Sequence, residues 1–159
     1  MADPQLEAAF LRRRTLGWGL QAPLLSPGGD LGRDLVFAPG SNGRDLALVA
    51  GTENLAQGLA LALTTLLGSD VFNVRFGFDG LNALAEETNP MIARERIRVA
   101  VIQVLRQDPR VRRILDVKLG NEGEGEGMVD RRRLKVEVAF ETITGDSVKV
   151  KLGKEVGYA

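Results

Sequence analysis

The chain contains neither cysteine nor histidine. Disulfide scaffolds, thiol catalysis and zinc sites built on thiolate or imidazole are thereby excluded. So are Ser–His, Cys–His and histidine acid–base schemes. Carboxylates, lysine, tyrosine, serine and threonine are the chemical groups left. Excess charge is lacking too: 21 basic residues balance 21 acidic ones. That argues against a protein whose main task is to hold nucleic acid or an anionic membrane. No apolar run is long enough to span a bilayer. The N-terminus, MADPQLEAAFLRRR, puts acids first and lacks the basic-then-apolar order of a signal peptide. Synthesis and folding in the cytoplasm are expected. The 159 residues suffice for one domain around a single core.

What is present is organised around Asn89 to Leu119, which reads as helix, stop and strand. Asn89 is suited to an N-cap and Pro90 to the first helical position, where its missing N–H costs nothing. Ala93, Ile97, Ala100, Val101, Val104 and Leu105 form one apolar face at helical spacing. Ile92, Val99 and Ile102 form a second apolar side. It needs covering either by a helix over 53–67 of this chain or by a partner. Asp108-Pro109 ends the helix, because the residue before proline is pushed out of the α region. Val111, Leu115, Val117 and Leu119 then suggest a strand with one apolar face.

Before this unit, residues 1–43 read as an N-terminal arm or extension, with two helical turns in LEAAFLRRR and a Gly/Pro-dense stretch after it. Trp18 has two readings, cover for an edge of the core or an anchor for a partner, and the first is preferred. Residues 44–159 form the main domain. Arg44 to Ala50 suggests a strand, broken by Gly51, with Thr52 capping a helix over 53–67 that Gly68 stops. Leu55, Leu59, Ala62, Leu63 and Leu66 mark its apolar side. Gln57 lies within it, either solvated or as a buried amide that fixes packing. Phe72, Phe76 and Phe78 are expected to plug the core rather than stack bases, since few basic residues interleave with them. A short helix is expected over 81–88.

After the central strand, residues 120–127 alternate Gly and Glu and suggest a solvated loop. Glu122, Glu124 and Glu126 could donate oxygens to calcium, but without the ordered spacing of a calcium loop. The last segment alternates with period two. Leu134, Val136, Val138 and Phe140 are followed, across Thr144-Gly145-Asp146, by Val148, Val150 and Leu152. This predicts a hairpin with a three-residue loop, Phe140 facing Val150 and Glu141 facing Lys149. The fold class is therefore α+β: a small mixed or antiparallel sheet with a C-terminal β-hairpin packed against two to three helices.

GTENLAQGLALALTTLLGS at 51–69, RFGFDG at 75–80 and IRVAVIQVLRQDPRV at 97–111, followed by the hairpin, together resemble the sheath-initiator family of contractile-tail baseplates. That family includes the wedge protein of T-even phages, the TssE-like component of type VI secretion, and relatives in extracellular contractile injection systems. The family's Glu-Pro-Arg reads Asp108-Pro109-Arg110 here, which keeps the charge with a shorter reach. The resemblance covers about 44–152. It implies a structural baseplate component that binds wedge proteins, initiates the tail sheath, and sits in multiple copies in a ring-shaped assembly near tube or hub proteins. It implies no cofactor, no metal, no nucleic acid, no membrane insertion and no catalysis. Asp108, Pro109 and Arg110 are the implied wedge-core contact. For Arg110 an internal pairing with Asp108 or Asp116 stands beside that reading. Val138, Phe140, Glu141, Val148, Lys149, Val150, Lys151 and Leu152 are the candidate sheath-binding hairpin, offering a strand edge. The competing reading is a lysozyme-like peptidoglycan hydrolase working through Glu86, Glu87 or Glu95, but no motif fixes a pair.

Overall fold

The structure, a computed structural model, describes residues 4–24, 32–80, 82, 86–121 and 134–152. Helix α1 spans Pro4–Leu16, followed by β1 Trp18–Leu20, β2 Phe37–Gly40, β3 Gly43–Leu46 and β4 Leu48–Ala50. Helix α2 is Gly51–Thr64 and α3 is Pro90–Gln107; the chain then forms β5 Val111–Asn121, β6 Leu134–Thr142 and β7 Ser147–Leu152. Strands β5-β6-β7 make one antiparallel sheet, and β1-β4 and β2-β3 are separate antiparallel ribbons. The fold is α+β. Residues 120–121 belong to β5; residues 122–127 of the Gly/Glu segment, and half of the helix expected over 81–88 (81 and 83–85), lie outside the described residues.

Helices α2 and α3 bury their apolar sides together against one face of the sheet. Leu55 and Leu59 of α2, Ile97, Val101 and Leu105 of α3, and Val138 and Phe140 of β6 form the center of the core. All six residues expected on the first face of α3 are buried. Its start is also as expected: the Asn89 side chain accepts from Met91 N–H at 2.9 Å, and Pro90 opens the helix. The second side of α3 is not covered by α2. Ile92 and Val99 remain about half exposed beside an open groove of about 510 Å³.

Several expectations change in detail. Arg44–Ala50 is two short strands, interrupted at Ala47. Helix α2 begins at Gly51 rather than after a Thr52 cap, its N-cap is Ala50, and it ends at Thr64 with Thr65 as its C-cap, before Gly68. Leu66 thus falls outside it and is partly exposed. Leu16 of α1 is fully buried in the shared core, so α1 is an integral layer of the fold. Trp18, 59% exposed, does not cover the core; its ring carries Arg13, 5.7 Å from the centroid. Of the three phenylalanines, Phe78 is buried, Phe76 packs partly against the core, and Phe72 is 97% exposed.

The sheet deviates from its simple pattern at two places. Strand β5 carries an extra residue at Arg112 and another at Leu115, where its register against β6 shifts. Two bulges turn Leu115 outward and bring Ile114 in opposite Phe140. The hairpin keeps a three-residue loop but sets it one residue earlier, over 143–145, so Phe140 faces Val148 and Glu141 faces Ser147. The reason lies in the turn. Gly145 has φ +85° and takes the left-handed third loop position, which the expected register would have given to Asp146. The fully buried Thr142 then accepts Asp146 N–H at 3.1 Å.

Candidate functional site

The three segments quoted above converge on one groove of about 420 Å³. Gly58, Leu61 and Ala62 come from α2, Arg75 and Phe76 from the following loop, and Asp108, Pro109 and Arg110 from the end of α3. The loop is brought there by backbone bonds. Phe78 N–H donates to Thr65 carbonyl at 2.8 Å, Leu67 N–H to Phe78 at 3.3 Å and Gly68 N–H to Phe76 at 3.4 Å. Gly77 makes this approach possible. Its φ is +116°, and a Cβ would lie 2.8 Å from the Leu66 backbone, which only glycine avoids.

The rim of the groove is built by Asp108 and Arg110. Their side chains form a fork: Arg110 Nε donates to Asp108 Oδ1 at 2.8 Å and Nη2 to Oδ2 at 2.6 Å. The Arg110 backbone N–H also donates to Oδ1 at 3.0 Å. Burial alone would push the Asp108 carboxyl up; the Arg110 bonds and charge prevail and hold it below the usual carboxylate range. Arg110 Nη1 donates to the carbonyl of Leu16, the last residue of α1, at 3.0 Å. Arg110 is thus paired internally with Asp108, not with Asp116, which meets Lys118 at 3.4 Å. Three of its five N–H groups are engaged among the described residues, and the side chain is 29% exposed on the groove. Arg75, exposed at the groove, forms no ion pair among the described residues.

Gln57 is neither simply solvated nor buried. It accepts Ala22 N–H and donates to Leu20 carbonyl, both at 2.8 Å, and so clamps the chain after β1 onto α2. Asn54 adds a bond to the Leu16 carbonyl at 3.3 Å. These polar side chains of α2 carry a signal in the sequence, amides at helical spacing, but nothing there names their partner backbone.

The hairpin residues divide by face. Val138, Phe140 and Val150 are buried, and Val148 and Leu152 pack against the same core. Lys149 and Lys151 are exposed on the other face. Lys151 meets Glu137 at 3.8 Å, whereas the expected Glu141–Lys149 pair does not form, because the shifted register gives Glu141 to Arg113 at 2.9 Å and Arg112 at 3.4 Å. Thr142 N–H bonds to Asp146 carbonyl at 2.9 Å. Antiparallel alternation from that pair sends the N–H and C=O of Ser147, Lys149 and Lys151 outward, and no strand among the described residues pairs with that edge. At the turn, Arg12 of α1 grips Asp146 at 2.8 Å. Asp146 is held below its usual pKa by Arg12 and, secondarily, by Thr144.

Of the candidate acids, Glu87 and Glu86 both meet Arg96, at 2.7 and 3.4 Å, and Glu95 meets Arg98 at 3.1 Å. Among the described residues no cluster of three carboxylates is placed to hold a metal, and no helix is long and apolar enough to cross a membrane. No family model matches the chain, and comparison with curated proteins finds no match either.

Proposed function

We propose that the chain is a structural baseplate component of a phage tail or contractile injection particle, joining wedge proteins to the first sheath ring. The observation that carries this reading is the convergence of α2, the 75–80 loop and Asp108-Pro109-Arg110 on one groove. These are the segments that resemble the sheath-initiator family, and a shared surface gives that resemblance a physical purpose. A helix lying in the groove meets an apolar floor with arginines at its rim, suited to carboxylates or helix-end carbonyls. Arg110 retains two N–H groups for such a partner after its internal bonds.

The second contact is strand addition at β7. The sheet has two edges, and they are not equivalent. β5 is bulged twice and carries charges that discourage pairing. β7 is regular over Ser147–Leu152, and its outward N–H and C=O groups can receive a sheath strand. Catalysis, cofactors and nucleic acid play no part in this reading, and the particle is built in the cytoplasm.

Lys149→Pro tests the edge without removing core side chains. The lysine N–H points outward, so proline deletes a donor for an added strand while keeping the β6–β7 ladder. Binding of sheath protein from the same gene cluster should fall at least about tenfold, against a single hydrogen bond plus steric block, with an unchanged circular dichroism spectrum. Unaltered sheath binding by a folded Lys149→Pro chain would remove β7 from the contact.

A further inference from the structure

The loop between α2 and Gly77 does something the core does not need. Its base is tied by the backbone bonds to Thr65, Leu67 and Gly68, and its tip is a second closed unit. Asp70 Oδ1 accepts N–H from Phe72 at 2.9 Å and from Asn73 at 3.3 Å. Asn73 N–H also donates to Asp70 carbonyl at 3.2 Å, and Phe76 N–H to Asn73 carbonyl at 2.9 Å. On this hydrogen-bonded scaffold stand Val71, Phe72 and Val74, respectively 80%, 97% and 64% exposed. Three apolar side chains on an unstructured tip would be unremarkable. Held by four hydrogen bonds, they form a prepared knob, with much of the ordering cost of binding already met by folding.

The knob adjoins the groove, since Asn73 and Arg75 line it. Arg75 has no ion pair among the described residues, and Asp108, the groove's own acid, is committed to Arg110. The Asp70 carboxylate is turned to the loop's own N–H groups, and Arg75 is thus the exposed charge among the residues lining the groove. An occupant must be apolar where it meets Phe72 and carry carboxylates or helix-end carbonyls where it meets Arg75 and Arg110.

We infer that the 70–75 loop is the anchor of the wedge contact: Phe72 fills an apolar pocket between helices of the same acidic helical partner whose segment lies in the groove. This rests on the reading of the groove given above and adds to it the residue with the largest share of the affinity. An aromatic side chain passing from near-complete exposure to burial has the burial and rigidity of an interface hot spot. Arg75 steers and orients the partner, and Asp70 is a positioning residue that keeps the knob formed.

The test uses the full chain and the wedge complex from the same gene cluster, with dissociation constants measured by biolayer interferometry for wild type, Phe72→Ala, Arg75→Glu and Asp70→Ala. Phe72→Ala should weaken binding about thirtyfold. Arg75→Glu should weaken it about tenfold and reduce its salt dependence. Asp70→Ala should weaken it less than Phe72→Ala, mainly through a slower association. Melting temperatures of the first two variants should match wild type, because both side chains are on the surface. If wild type binds the wedge and the Phe72 and Arg75 variants bind equally well, the knob is not the anchor, while the baseplate reading stands. If wild type binds neither wedge nor sheath, the baseplate reading fails and the anchor with it. Tight binding of a single-stranded oligonucleotide, lost in Phe72→Ala, would replace the helical partner with a stacking one and overturn the inference.

Discussion

Arg110 shows how one residue can hold three parts of a chain at once. It closes a fork with Asp108 and caps the last carbonyl of α1, while its own backbone carbonyl accepts Ile143 N–H at 3.0 Å. Replacing it with alanine leaves a half-buried carboxylate without its partner and a helix-end carbonyl with one donor fewer. Arg110→Ala should therefore lose about 1–3 kcal/mol in urea denaturation. Arg110→Lys should recover only part of this, since an ammonium cannot reproduce the planar fork. The pH dependence follows from the Asp108 and Asp146 carboxyls, both held below their unfolded value of about 3.9. Their stabilisation is fully present above that value and is lost as pH falls through it toward the folded pKa. Acid unfolding should begin below about pH 4, and Asp108→Asn should flatten that part of the curve. An internal role for Arg110 was legible from Asp108 two residues away. The Leu16 carbonyl was not, because it lies 94 residues distant and a backbone acceptor leaves no mark in the sequence.

Among the elements, those with strong period and capping chemistry were legible. Helix α3 follows from Asn89, Pro90 and its apolar face, and the hairpin follows from alternation in β6 and β7. The bulges of β5 were legible only in part: Arg112-Arg113 and Ile114-Leu115 break the polar–apolar alternation, but nothing in the sequence says which residue of each pair will be extra. The shifted turn was legible in principle: Gly145 is the loop residue best suited to a positive φ. Two glycines make opposite predictions. Gly58 lies in the interior of α2, where a Cβ would meet only Arg110 Nη2 at an ordinary 3.7 Å. Gly58→Ala should raise stability by about 0.5–1 kcal/mol through helix propensity, read as a higher melting temperature. Gly77→Ala should destabilise by more than about 1 kcal/mol, because its Cβ would press on the Leu66 backbone, and the loop would move off the groove.

At the scale of the molecule, the N-terminal segment and the resembling region share one core. Leu16 is fully buried beside Leu55, Leu59 and Phe140, a contact the arm's Gly/Pro-dense sequence did not announce. Leu16→Ala should cost about 2–5 kcal/mol and lower the melting temperature of the whole protein in a single transition; two separate transitions would mean that α1 folds apart from the sheet. The unequal edges of that sheet have a further consequence. In the proposed strand addition, an irregular β5 and a regular β7 would give this three-stranded sheet a valence of one for incoming strands. A subunit with two open edges would chain with its neighbours into fibres of undefined length. A valence of one instead fixes the count: one guest strand per copy, always on the same side, so that a ring of such subunits would hand its number and its polarity to whatever is built upon it.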